Sequence, residues 1–352
     1  MIAGAALGGF AEPCQLEWST LPSSPPVGQP SPLEVSTLPD RKRLVAFRVL
    51  GALPRGEQLL DLYRLRFGSL RGYNLEGQRG GLLEMVRLLR GAGRTVEDRD
   101  LVEIGTGWHP LLPTVFYGLG ARTILMTDVA RHVRREFIED VLDYCLEHAQ
   151  EIAEIVGRDE VTLKARWSSL RPGRHDWRDV WKDRGISYRA PFDLTHHRLP
   201  ADSVDIIFSN DCLGYIPKVT LAALVEESTR LLRPGGCVAH DVTVYDDRII
   251  YDRSIPSWDF LSYSEKEWQR VGNPRLHFQN RCRPAEYAQI AAQHGLRMLY
   301  EERVMFDLDE AKSLDRSNLH PDYRDLPAEE ILCRHYLFAA EKPSSGPATK
   351  AP

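Results

Sequence analysis

The chain has 352 residues, a formal net charge of −5 and a hydrophobic fraction of 43%. A core of that size needs no disulfide or metal staples, and an acidic total argues against general nucleic-acid binding, whose electrostatic footprint is a basic surface. The six cysteines are scattered without C-x-x-C spacing, which favours a reducing compartment and offers no zinc framework.

Residues 1–40 are crowded with proline and serine, Pro22 through Pro39, and read as a disordered leader. Met1 to Phe10 is apolar but short and lacks a basic flank, and no stretch approaches the about 18 apolar residues of a membrane span. A cytoplasmic protein without a membrane partner is therefore expected. From Leu44 to Leu89 the pattern is helical, through Leu59, Leu60, Leu62, Tyr63 and Leu65 and then Leu82, Leu83, Val86 and Leu89, until Gly91 and Gly93 end it. Residues 41–98 read as a helical N-terminal cap.

A β/α alternation follows. The first strand is predicted at 101–104, with a helix from about Leu111 to Gly120, and the second strand ends at Asp128. A helix over 131–157 carries Phe137, Val141, Tyr144, Cys145, Ala149 and Ile152 along one face. Residues 160–192 are irregular and rich in Trp and Arg, and are expected to hold the third strand plus an insertion. The fourth strand is 204–209 and its helix runs from Val219 to Leu232. Pro234-Gly235-Gly236 then turns the chain into the fifth strand, 237–244. A helix over 284–294 opens at Pro284, a residue favoured in a first helical turn, and strands near 296–306 and 335–341 complete the pattern before a flexible tail at 343–352. The alternation predicts an α/β fold over 99–342, with a doubly wound, mostly parallel sheet.

Residues 245–282 interrupt that pattern with Tyr245, Tyr251, Trp258, Phe260, Tyr263, Trp268 and Phe278. Ligands of open α/β sheets bind outside the carboxyl ends of the strands, and this insertion leaves from one. It reads either as a substrate lid or as a packed extension with a small core of its own.

Leu101-Val102-Glu103-Ile104 runs into Gly105-Thr106-Gly107. The missing side chains at the two glycines let a ligand approach the backbone closely. Asp128, about 20 positions later at a strand end, suits the paired hydroxyls of a ribose. These are features of a Rossmann-like nucleotide site. The dinucleotide fingerprint wants glycine at position 110, where Pro110 stands. Glu103 is out of place beside a pyrophosphate but suited to a cationic ligand. Both residues argue against a nicotinamide cofactor and for S-adenosyl-L-methionine, which carries an ammonium, a sulfonium and no phosphate.

At these residues the chain resembles the class I S-adenosylmethionine-dependent methyltransferases. Their first motif, acidic-x-Gly-x-Gly-x-Gly, is matched by Glu103, Gly105 and Gly107, with His109 replacing the third glycine and Trp108 before it. Asp193 ahead of Leu199-Pro200, the run Val204 to Asp211, the segment Arg230 to Gly236 and the apolar run from Cys237 follow in family order. The resemblance spans roughly 99–342 and implies that the last strand is antiparallel and inserted. It also implies cofactor contacts from Glu103, Gly105, Thr106, Gly107, His109 and Asp128, from Asp193 to the adenine amine, and from Ser209 and Asn210 at the mouth.

Methyl transfer from a sulfonium is an in-line displacement in which the protein positions the nucleophile and manages its proton. His240 and its neighbour Asp241 fall on opposite faces of the fifth strand by alternation, and one of them faces the cleft. His240 is the candidate base, with Asp241 and His277 as rivals. His196-His197 read as loop residues and Asp246-Asp247 as a solvated pair, so no metal is expected. The best reading is methyl transfer to an oxygen or nitrogen of a small-molecule acceptor enclosed by an aromatic lid. Two alternatives stay open. One is a methyltransferase acting on RNA or protein through Arg131, Arg134 and Arg135, and the other is a non-catalytic S-adenosylmethionine-binding module, which His109 would favour. The oligomeric state is not fixed by the sequence, and a homo-oligomer is compatible with it.

Overall fold

The computed structural model describes residues 40–66, 75–250, 254–272, 276 and 278–344. The expected leader up to residue 39, the tail from residue 345 and His277 lie outside the described residues. Seven strands form one sheet: β1 (Asp100–Ile104), β2 (Thr123–Thr127), β3 (Ile186–Arg189), β4 (Val204–Asn210), β5 (Leu232–Thr243), β6 (Arg297–Met305) and β7 (Cys333–Glu341). Their order is β3-β2-β1-β4-β5-β7-β6. The first five strands pair in parallel, and β7 runs antiparallel between β5 and β6. This is the Rossmann-like arrangement with an inserted antiparallel last strand that the resemblance implied.

The helices are α1 (Asp40–Ala52), α2 (Gly56–Arg66), α3 (Arg79–Gly91), α4 (Leu111–Gly118), α5 (Arg135–Glu147), α6 (Ala149–Val156), α7 (Glu160–Ser168), α8 (Trp177–Lys182), α9 (Lys218–Leu231), α10 (Glu265–Val271), α11 (Pro284–Gln293), α12 (Leu308–Lys312), α13 (Pro321–Arg324) and α14 (Ala328–Ile331). Strand alternation divides the interior into two layers. Leu101, Ile206, Phe208, Cys237, Ala239 and Leu337 face one core, shared with α3 to α8. Val102, Ile207, Val238, Val242, Tyr336 and Phe338 face the other, shared with α9 and α11. The sheet is buried on both sides, which is why its central strands read as unbroken apolar runs.

Helix α3 lies directly on the sheet. Leu82, Met85 and Leu88 join the first core, Arg87 pairs with Glu302 of β6, and Arg94, just beyond the helix, pairs with Glu341 of β7. Gly91 permits this approach, because a Cβ there would meet the Tyr300 ring at 2.5 Å.

Two stretches differ from the sequence expectation. The helix expected over 131–157 is two helices that break at His148, whose backbone sits at φ −99°, ψ 22°. The stretch 160–192 holds α7 and α8 ahead of β3, each opened by an aspartate that accepts a backbone N–H: Asp159 from Thr162 and Asp176 from Arg178. Their tryptophans, Trp167 and Trp181, are fully buried and donate to the carbonyls of Thr114 and Leu170 at 3.0 Å. Apolar spacing alone could not find helices anchored by single large residues and a side-chain cap.

Beyond β5, Trp258, Phe260, Leu261 and Trp268 pack with Leu319 and Ile331 into a third, smaller core. Arg283 fastens this unit to the sheet by donating to the carbonyls of Glu330 and Val244. Among the described residues, no helix is long and apolar enough to cross a membrane, and the five described cysteines are free thiols.

Candidate functional site

A cavity of about 410 Å³ opens at the carboxyl ends of the parallel strands, on the face covered by α3. One wall is the turn between β1 and α4. Gly105 and Gly107 both adopt left-handed backbone, at φ +73° and +68°, a conformation that favours glycine. A Cβ at Gly105 would stand 2.4 Å from Cys212 Sγ, whereas Gly107 faces open space. The turn is held from behind: Asp128 accepts from the N–H groups of Gly107 at 2.9 Å and Ala130 at 3.0 Å. Glu103 lies beneath the turn and accepts from the Thr106 hydroxyl at 2.7 Å. Burial, reinforced by the charge of Asp128, pushes the Glu103 carboxyl up to about 8 against the opposing Thr106 hydrogen bond. Trp108 and His109 continue the wall. His109 packs edge-on against Phe137, with ring centroids 4.6 Å apart, and burial pushes its imidazole down to about 4.

The opposite wall comes from the sheet, and its phase decides which residues reach the cavity. Asn210, Asp241, Thr243 and His335 line it, all on the face turned toward α3. Ser209 and His240 point to the other face. There the Ser209 hydroxyl and His240 Nδ1 are 2.7 Å apart and the imidazole lies 5.3 Å from the Phe338 ring. His240 is 3% exposed, and burial pushes it down to about 3. The two neighbours on β5 do fall on opposite faces, and it is Asp241 that borders the cavity.

The third wall is α3, with Gln78, Gly81 and Glu84. Gly81 lets the helix close on the sheet, because a Cβ there would stand 2.6 Å from Asn210 Oδ1. Glu84 is 4% exposed, and burial followed by the charge of Asp241 pushes its carboxyl up to about 8. Asp211, at φ +51°, is pushed up to about 6 by burial, and Asp247 nearby to about 8 by burial and then Asp211. The floor of the cavity is therefore acidic, with its carboxyl groups largely buried.

Glu103, Gly105, Thr106, Gly107, His109, Asn210 and Asp241 all line one space. Asp128 stands behind the turn as its support. Asp193 is drawn into a local turn instead, accepting from the Thr195 amide and hydroxyl and pairing with His196. It does not line the cavity. Glu84, Asp211, Thr243 and His335 do, and the sequence reading missed them as site residues; Tyr245, read there as part of the insertion, lines it too. Glu84 had a signal, as a charged residue flanked by the buried Leu82, Met85 and Val86. So did His335, the single histidine of an apolar strand in phase with Leu337 and Ala339.

No family model and no curated protein matches the chain. Solved structures with a similar fold include an S-adenosylmethionine-dependent methyltransferase from Mesorhizobium loti, at 15% identity over 72% of this chain and 95% of that one, TM-score 0.39. Another is the geranyl diphosphate C-methyltransferase of Streptomyces coelicolor, solved with Mg2+, geranyl diphosphate and S-adenosyl-L-homocysteine. It is 15% identical over 76% of this chain and 81% of that one, TM-score 0.41. A third is phosphoethanolamine N-methyltransferase 2 of Haemonchus contortus, at 16% identity over 85% of this chain and 61% of that one, TM-score 0.43.

Proposed function

We propose that this chain binds S-adenosyl-L-methionine along the Gly105–Gly107 turn and transfers its methyl group to an oxygen or nitrogen of a small-molecule acceptor. The observation that carries this reading is the meeting, in one cavity, of a positive-φ glycine turn with buried carboxylates on every side. Such a site repels a pyrophosphate and suits a cofactor bearing an ammonium and a sulfonium. On this reading Glu103 would receive the ammonium, and Asp128 would accept from the ribose hydroxyls with the lone pairs its two backbone donors leave free. The acceptor would enter over Asp241, Thr243 and Tyr245, so its nucleophilic atom faces the glycine turn across the cavity. The protein contributes position and a proton acceptor, while the cofactor supplies the electrophile. Asp241 is the candidate proton acceptor, because His240 does not border the cavity.

A volume of about 410 Å³ falls within the range of small-molecule pockets. The arginines that could have formed a nucleic-acid groove are engaged locally: Arg131 donates to the carbonyl of Ala190, and Arg135 to Glu139 and the carbonyl of His175. These engagements favour the small-molecule reading. The test is radiolabel transfer from methyl-labelled S-adenosylmethionine to mixtures of small hydroxyl and amine acceptors. Label in an extracted small molecule supports the reading. Label found only in added RNA or protein would replace it with the macromolecular one.

A further inference from the structure

We propose that Glu84, Asp241 and His335 form a binding site for one divalent transition-metal ion of the Mn2+, Fe2+ or Zn2+ class, set into the cavity wall. The three residues come from α3, β5 and β7, so the site is built on rigid elements rather than on a loop. Asp241 pairs with Leu337 and Thr243 with His335 across the antiparallel ladder. Asp241 and His335 are thus diagonal neighbours on one face, a separation that long side chains bridge. Glu84 descends on them from the helix. One ligand atom from each residue lies within 4.8 Å of the other two, close enough that small side-chain rotations bring all three to the about 2.0–2.2 Å at which such an ion is held.

A second observation points to a ligand. His335 is 9% exposed and lines the cavity, and its Nδ1 contacts Asp241 Oδ1 at 3.2 Å. Its Nε2 is buried and finds no hydrogen-bond partner among the described residues. A buried ring nitrogen without a partner is costly unless something is to be bound there. Two carboxylates and an imidazole match the borderline-hard transition ions better than thiolate-seeking ones, and Ca2+ or Mg2+ would want an all-oxygen set. Three protein ligands leave open positions on the cavity side. On the proposed methyl-transfer reading, those positions would hold an oxygen donor of the acceptor, with one carboxylate oxygen of Asp241 on the ion and the other left to take the acceptor's proton. This site departs from the expectation that the chain needs no metal.

The full chain, freed of metal with a chelator, should be titrated with MnCl2, following free Mn2+ by electron paramagnetic resonance. One ion per chain is expected, displaced by Zn2+. Asp241→Asn and His335→Gln, both close in volume to the parent residues, should each weaken binding at least tenfold, and Glu84→Gln should behave likewise. Near-ultraviolet circular dichroism and the melting temperature serve as the fold control in every variant. No saturable Mn2+ or Zn2+ binding to the parent would overturn the proposal. So would folded variants that bind Mn2+ as the parent does, or saturable binding of methylammonium in place of any metal. Metal binding by a parent chain that ignores S-adenosyl-L-homocysteine would leave the metal site standing and remove the cofactor assignment.

Discussion

The hydroxyl of Ser209 and the imidazole of His240 meet at 2.7 Å on the face of the sheet turned away from the cavity. The contact marks the phase of the fifth strand: with His240 on that face, alternation turns Asp241 toward the cavity.

His240→Ala should therefore leave the turnover number within a few-fold of the parent while lowering stability. The loss is expected at about 1–3 kcal/mol, the cost of leaving a buried hydroxyl without its partner. Asp241→Asn should keep the fold and lose about 10²-fold or more in turnover, the lower end for a lost proton acceptor. Single-turnover rates and denaturant melts of both variants check this. A His240→Ala enzyme that is stable but inactive would return the base to the histidine.

Glu103 should make stability depend on pH. Its carboxyl is pushed from the ordinary 4.5 up to about 8 in the folded chain, so the folded state keeps a proton that the unfolded chain gives up. Stability from this group is then highest below 4.5 and falls as pH rises through the window to about 8. Glu103→Gln cannot ionise, so its melting temperature should gain on the parent across that window. Near pH 7, binding of the cationic cofactor should also release close to one proton, which calorimetry in buffers of different ionisation enthalpy reads directly. Parallel melting curves for parent and variant would contradict this account of Glu103.

Asp128→Ala should weaken S-adenosyl-L-homocysteine binding by about 1.5–3 kcal/mol, the range for hydrogen bonds to a charged group. Asp128→Asn should recover only part of that, because an amide has a single oxygen for the donors of Gly107, Ala130 and a ribose. Equal affinities in all three proteins would mean that Asp128 neither contacts the ribose nor shapes the turn.

The β/α alternation and the glycine turn were legible because each leaves a local mark, a short apolar run or a residue without a side chain; the inserted antiparallel strand leaves none and was only implied by the family resemblance. The cavity's far wall left weaker marks. His335 and Asp241 lie 94 positions apart and meet only through the β5–β7 register. Glu84 joins them because Gly81 and Gly91 let α3 settle onto the sheet. The phase of β5 could be read as an alternative between His240 and Asp241, but choosing between them required knowing which face α3 covers. Asp193 stands ahead of Leu199-Pro200 as the motif order asks, yet its carboxylate is taken up by Thr195 and His196, a local competition that side chains of this type readily win.

The central claim is that the Gly105–Gly107 turn and its buried carboxylates receive an adenosyl sulfonium cofactor. Calorimetric titration of the full chain with S-adenosyl-L-methionine, S-adenosyl-L-homocysteine and NAD tests it most directly. Saturable one-to-one binding of both adenosyl compounds, with none of the dinucleotide, is the predicted result. Tighter binding of NAD than of either adenosyl compound would contradict it.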